Sequence, residues 1–264
     1  NIFLVKINFL KITFLGTGTS TGIPIIGNTH PVCLSIDKKD KRLRSSIMIE
    51  WDNFKYVIDT GPDFRQQMLD SNCNSLNGVL YTHEHADHTA GIDDIRPFCY
   101  RKGELSIYAH QRVLKNLSIR FNYIFKKEGR YPGSPSVNPK IVKENTPFKL
   151  FNLEVIPISY LHGDLQVFGY RFKDFAYLTD LKTISDQEIM KLKNLDILVL
   201  NAIRIEPHFS HLNLQEALTL IRKINPKKTY LTHISHKLGF HKKVQSELPK
   251  DVYLSFDRLE LFLD

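Results

Sequence analysis

The run Thr82-His83-Glu84-His85-Ala86-Asp87-His88 constrains this chain more than any other part of it. Three histidines and an aspartate crowd into six positions, directly after the apolar stretch Gly78-Val79-Leu80-Tyr81-Thr82, which reads as a buried strand. Imidazoles and a carboxylate do not build a core, because burying them without partners is costly. They can surround a cation, since metal ligands are neutral imidazoles and ionised carboxylates. Strand alternation carried past Thr82 points His83 and His85 the same way. A turn at Ala86 then swings Asp87 and His88 toward a second point nearby.

These residues do not complete two metal sites, so further donors are expected at other strand ends. His162 follows the apolar run Leu153-Glu154-Val155-Ile156-Pro157-Ile158, Asp180 closes Ala176-Tyr177-Leu178-Thr179-Asp180, and His233 closes Thr229-Tyr230-Leu231-Thr232-His233. Each is polar and stands at the carboxyl end of an apolar run, where ligand sites gather in α/β folds. Together they fit two three-ligand sites bridged by one carboxylate.

Apolar runs punctuated by Gly and Pro predict strands near 3–15, 45–50, 54–59, 78–82, 105–109, 151–158, 166–172, 175–179, 196–201, 228–232 and 252–262. Helices are expected at 64–70, 110–121, 184–193, 212–224 and 240–247. The clearest carries Leu214, Leu218, Ile221 and Ile224 on one stripe. Strands in runs with helices between and after them argue for sheets covered by helices, here within a single domain over 1–264. Val113–Pro147 breaks the rhythm with Lys115, Arg120, Lys126, Lys127, Arg130, Lys140 and Lys143 against Glu128 and Glu144, plus Tyr123, Phe125 and Tyr131. It reads either as a solvated connection or as a basic, aromatic lid or arm.

The formal net charge of +8 favours anionic partners, or marks nothing beyond a solvated surface. Cys33, Cys73 and Cys99 are odd in number and widely spaced. They make no disulfide framework and suit a reducing, cytoplasmic compartment. Lys6 and Lys11 interrupt the apolar start, and no small-residue cleavage site follows it, so a strand is expected there rather than a signal peptide or membrane anchor.

The sequence resembles the metallo-β-lactamase superfamily. The matching residues are LGTGTSTGIP at the first strand, VIDTGPDF at 57–64, THEHADH, the lone His162, LTD at 178–180 and TH at 232–233. The resemblance implies an αβ/βα four-layer sandwich, with two mixed β-sheets face to face, helices on the outer faces and the site at one sheet edge. It implies His83, His85 and His162 as ligands of a first metal, and Asp87, His88 and His233 as ligands of a second. Asp180 becomes the bridge, and Asp59 the carboxylate that orients a ligand histidine. Without a thiolate, the set suits two divalent ions, Zn, Mn or Fe.

Two such ions hold a hydroxide between them at neutral pH, so hydrolysis is the default reaction. The stretch EPHFSHLNLQEAL puts His211 before the amphipathic helix and resembles the ribonuclease Z and PhnP-like phosphodiesterase branch. The resemblance implies that His211 protonates the leaving oxygen, with Asp87 as the other catalytic residue. Its bland alternative is a capping or packing histidine. GTSTGIPIIG, DKRLRSS, IDTGPDFRQQ, GIDDIRPF and FNYIF...YPGSP favour the PhnP-like group over ribonuclease Z. The expected function is thus a binuclear phosphodiesterase on a small phosphorylated substrate, such as a cyclic ribosyl phosphate. The alternatives are a tRNA 3′-processing nuclease and a catalytically idle, anion-binding member of the fold. A membrane partner is not expected, nucleic acid is the weaker choice, and a homodimer stays open.

In the PhnP-like group the segment at 26–33 usually reads G-C-x-C-x-x-C, and with a later histidine it holds a structural zinc. Here the matching residues are Asn28, His30 and Cys33, with His236 as the partner. Two thiolates are gone, and structural zinc sites are nearly always closed by four ligands. This third zinc is expected to be absent.

Overall fold

The computed structural model describes residues 9–263. The expected strand at 3–15 starts at Leu10, and its earlier part lies outside the described residues. The strands are β1 (Leu10–Gly16), β2 (Ser46–Trp51), β3 (Phe54–Ile58), β4 (Gly78–Leu80), β5 (Leu105–Ala109), β6 (Val137–Ile141), β7 (Phe148–Leu150), β8 (Leu153–His162), β9 (Leu165–Phe172), β10 (Phe175–Leu178), β11 (Ile197–Asn201), β12 (Lys228–Thr232), β13 (Val252–Leu254) and β14 (Glu260–Leu263). They form two seven-stranded sheets, ordered β14-β1-β2-β3-β4-β5-β6 and β13-β12-β11-β10-β9-β8-β7. Each sheet is mixed. Pairing is antiparallel from β14 to β3 and parallel from β3 to β6. In the other sheet it is antiparallel from β7 to β10 and parallel from β10 to β13.

Three apolar layers follow from the side-chain alternation. Ile12, Phe14, Ile47 and Ile49 of one sheet share a cluster with Val155, Phe168, Tyr170, Tyr177 and Val199 of the other, which is the sheet-on-sheet core. Trp51 Nε1 ties the two sheets by donating to Asn152 Oδ1 at 2.8 Å. Val57, Val79 and Ile107 face outward against Phe64, Phe98 and Leu117 of covering helices. Leu198, Leu200 and Leu231 do the same against Ile189, Ala217, Ile221 and Val244. The sandwich is therefore the αβ/βα one expected.

The helix Leu214–Ile224 shows why the local sequence commits. Asn213 Oδ1 accepts from the Glu216 N–H at 2.8 Å while Glu216 Oε2 accepts from the Asn213 N–H at 2.9 Å, a reciprocal cap. The helix stops at Asn225, whose φ of 60° suits asparagine.

Several expectations need correction. The run 252–262 is two strands in different sheets, because Ser255–Arg258 carries the chain across the edge of the sandwich. The helix at 184–193 is only Asp186–Met190. The strand expected to end at 158 continues to His162. Val113–Pro147 is neither a plain connection nor a free arm. It belongs to the helices Gln111–Arg120 and Asn122–Phe125 and to edge strand β6. The loop between them is pinned, since Arg96 Nη1 and the Tyr100 hydroxyl both donate to the Gly133 carbonyl, at 2.8 and 2.6 Å. Among the described residues no helix is long and apolar enough to cross a membrane.

Candidate metal centre

The carboxyl ends of β3, β4, β8, β10 and β12 deliver Asp59, the 83–88 turn, His162, Asp180 and His233 to one place. Three of these positions need left-handed backbone: Asp59, Asp180 and His233 have φ of 66°, 58° and 55°. Such backbone is uncommon outside glycine, though Asp and His tolerate it better than most, and it concentrates at functional sites. Close backbone packing supports the turn. A Cβ on Gly61 would lie 2.2 Å from the Asp87 carbonyl oxygen, and one on Gly91 would lie 2.1 Å from that of Gly61.

Two donor groups result, each with ligand atoms within 4.8 Å of one another: His83, His85, His162 and Asp180 in one, and Asp87, His88, Asp180 and His233 in the other. Asp180 belongs to both. Its Oδ2 lies 3.7 Å from His83 Nε2, 3.5 Å from His88 Nε2 and 4.0 Å from His162 Nε2, while its Oδ1 lies 3.0 Å from His233 Nδ1.

Hydrogen bonds behind the rings set which nitrogen faces inward. His88 Nδ1 donates to Asp59 Oδ2 at 2.7 Å, and His162 Nδ1 donates to the Ser210 carbonyl at 2.7 Å. The Thr82 hydroxyl donates to Asp59 Oδ2 at 2.8 Å and lies 3.0 Å from His83 Nδ1, whose proton it can accept. Each of these rings thereby turns Nε2 toward Asp180. Asp59 thus holds the position expected of an orienting carboxylate.

The donors fit divalent cations. His88 Nε2 is buried and has no hydrogen-bond partner. His83 Nε2 and His85 Nδ1 face each other at 3.0 Å, an arrangement a shared cation satisfies. Burial would raise the Asp180 carboxyl, but His233 and His88 outweigh it and hold it well below the usual range. Burial alone would lower His88, yet Asp87, Asp180 and Asp59 push it well above the ordinary value. Burial, with His88 alongside, drives His83 well below its ordinary value, and burial first also lowers His85 and His233. In a metal-free centre the carboxylates thus concentrate a proton on His88, and a metal ion competes for that same nitrogen.

His211 lies buried two residues before the cap of the helix Leu214–Ile224. Its ring is 4.4 Å from that of His162 and 5.0 Å from that of His233, and its Nδ1 has no partner. Burial lowers its pKa to about 3. His208 Nδ1 accepts from the Ser210 N–H at 3.2 Å.

His30 and His236 come together, with rings 4.9 Å apart and edge to face, and Cys33 is buried nearby in a small cluster with Ile23 and Val32. These three are not among the donor groups found in the described residues. Asn28 Oδ1 is occupied by the His30 N–H at 2.8 Å. Two contacts escaped the reading of the sequence. The Thr19 hydroxyl lies 3.1 Å from His233 Nε2, and the Ser210 carbonyl orients His162. Thr19 sits in the quoted GTSTGIP run, but a backbone carbonyl has no signal in sequence.

Residues 55–234 match the family model described as a β-lactamase superfamily domain. A crystal structure titled as that of a new diphosphatase from the PhnP family is 37% identical, with a TM-score of 0.90 and 97% of each chain covered. The octanoyltransferase of Porphyromonas gingivalis is 40% identical over 97% of this chain, but the match spans only 52% of that protein's length. Human short-form tRNase Z has a TM-score of 0.64 at 17% identity, covering 95% of this chain and 98% of its own, which is a likeness of fold.

Proposed function

The chain belongs to the PhnP family of the metallo-β-lactamase superfamily, and from that membership we propose that it is a binuclear metal-dependent phosphodiesterase acting on a small phosphorylated molecule. The observation that carries the proposal is the sharing of Asp180 by two donor groups that contain no thiolate. His83, His85 and His162 would hold one divalent ion and Asp87, His88 and His233 another, with Asp180 common to both donor groups. When bound, such a pair activates water at neutral pH and polarises the phosphoryl oxygens.

The protein's own groups do the rest. Asp59, Thr82 and the Ser210 carbonyl keep the rings in the orientation that binding needs, so no reorganisation is required on turnover. Asp87, with Oδ2 3.2 Å from His88 Nε2, accepts the proton that the attacking water loses. The new P–O bond forms to that water as the bond to the leaving oxygen breaks. His211 gives its proton to the departing alkoxide. Burial keeps His211 neutral in the free protein, and the negative charge of a bound phosphodiester favours its protonated form.

The relative titled a diphosphatase supports phosphorus as the reacting centre. The activity named for the Porphyromonas protein belongs, in this reading, to the part of its length that this chain does not cover. The test is a hydrolysis panel with Mn and Zn, containing bis-nitrophenyl phosphate, 2′,3′-cyclic nucleotides, cyclic ribosyl phosphates, a diphosphate diester and pre-tRNA. Turnover of the small esters is expected. Turnover of pre-tRNA alone would move the assignment to a processing nuclease, and no turnover of any would leave an idle anion-binding member of the fold.

A further inference from the structure

The loop that carries His211 also carries a phenyl ring that serves no core. Phe209 is 84% exposed. Its ring stacks on His208 with centroids 5.1 Å apart at 21°. The His208 ring is 4.9 Å from that of His211, which in turn is 4.4 Å from that of His162. The phenyl face therefore stands at the rim of the candidate metal centre.

The loop beneath it is braced. Arg204 donates to the Glu206 and Pro207 carbonyls at 3.2 and 2.5 Å. The Ile203 N–H reaches the Leu212 carbonyl at 3.0 Å, and the Leu214 N–H reaches that of Arg204 at 2.9 Å. These bonds hold the loop on which Phe209 stands exposed.

Arg204 adds a second feature. Two other cations near the centre are paired, Lys182 with Glu216 at 2.8 Å and Arg44 with Asp63 at 2.9 Å. Arg204 spends its donors on carbonyls, and among the described residues no carboxylate pairs with it. A fixed aromatic face and an uncompensated cation, beside a site for a phosphoryl group, match a ligand with a planar base and an anionic backbone.

We propose that Phe209 determines specificity by stacking a nucleobase, so that the substrate is a nucleotide phosphodiester rather than a bare sugar phosphate. The inference rests on the phosphodiesterase reading of the adjacent centre. Arg204, braced on the same loop, adds positive charge there.

The test compares binding of AMP and ribose 5-phosphate to the Mn-loaded protein by calorimetry, for wild type, Phe209→Ala and Phe209→Trp. Wild type is expected to prefer AMP by about tenfold, the scale of one base stacked on an aromatic ring. Phe209→Ala should abolish that preference with ribose 5-phosphate affinity unchanged, and Phe209→Trp should keep it. No preference in wild type, or an undiminished one in Phe209→Ala, overturns the proposal. If Phe209→Ala loses both ligands alike, the loop has collapsed and Phe209→Trp decides: a retained preference supports stacking and a lost one refutes it. Failure of bis-nitrophenyl phosphate turnover would sink the phosphodiesterase reading separately, leaving the AMP preference to decide the role of Phe209.

Discussion

Asp59 Oδ2 lies 2.7 Å from His88 Nδ1, with both side chains fully buried. The same carboxylate accepts from the Thr82 N–H and hydroxyl, each at 2.8 Å. One acid thus fixes the His88 ring and the strand end that leads into His83. Either orientation of the amide in Asp59→Asn would set its NH2 group against a donor, the His88 N–H or the Thr82 N–H. Metal affinity at the site containing His88 should fall by about 10- to 100-fold, the usual effect of losing an outer partner of a ligand. Competition with a chromophoric chelator measures this, and unchanged affinity would remove Asp59 from the metal centre.

His211→Ala should separate leaving groups. Loss of a general acid costs about 10²- to 10⁴-fold on an alkoxide leaving group. Nitrophenolate needs little protonation, so nitrophenyl esters should slow much less. The comparison is kcat/KM for an alkyl and a nitrophenyl diester, with metal content checked in the same samples. An equal loss on both would mean that His211 does not act as the acid.

Much of the site was legible because its residues break a rule of strands. His83, His162, Asp180 and His233 are polar groups at or just past the ends of apolar runs, and such a pattern has few purely structural uses. The left-handed backbone at Asp59, Asp180 and His233 left no trace in residue type, nor did the Ser210 carbonyl behind His162. The fold failed to be legible where pattern and topology part. Apolar residues recur from Val252 to Phe262, on both sides of the point where the chain changes sheets. There Ser255 is held by its hydroxyl to the Leu231 carbonyl at 2.6 Å, a tertiary contact. Edge strand β6 contains Pro139 and exposed Lys140, which edge positions tolerate and which hide a strand from propensity.

The Asn28, His30, Cys33 and His236 cluster should hold no structural zinc. Asn28 Oδ1 is taken by the His30 N–H, and His30 Nδ1 accepts from the Val32 N–H at 3.3 Å. A closed four-ligand site is not present among these side chains. Elemental analysis after purification without added zinc should give two ions per chain, both in wild type and in Cys33→Ser. Three ions falling to two in the variant would contradict this.

Acid should destabilise the fold through His241. Its Nδ1 accepts from the buried Arg42 guanidinium at 3.1 Å, which requires a neutral ring. Burial, then the charges of Arg42 and Lys39, lower its pKa to about 4. The folded value lies below the unfolded one of about 6.5, so the contribution is complete above that pH and is lost as pH falls toward 4. After allowance for solvent screening it is about 1–2 kcal/mol. His241→Asn keeps an acceptor for Arg42 and cannot titrate. In urea unfolding of the metal-free protein, wild type should lose more stability than the variant between pH 7 and pH 5. Parallel losses would show that His241 is not the group responsible.

The most direct measurement is a titration of the metal-free protein with Mn(II), followed by turnover of bis-nitrophenyl phosphate. Sharing of Asp180 between two donor groups requires activity to rise to a plateau at two ions per chain, and Asp180→Ala to stay inactive across the titration. A plateau at one ion, or an Asp180→Ala protein as active as wild type, would contradict a binuclear centre bridged by Asp180.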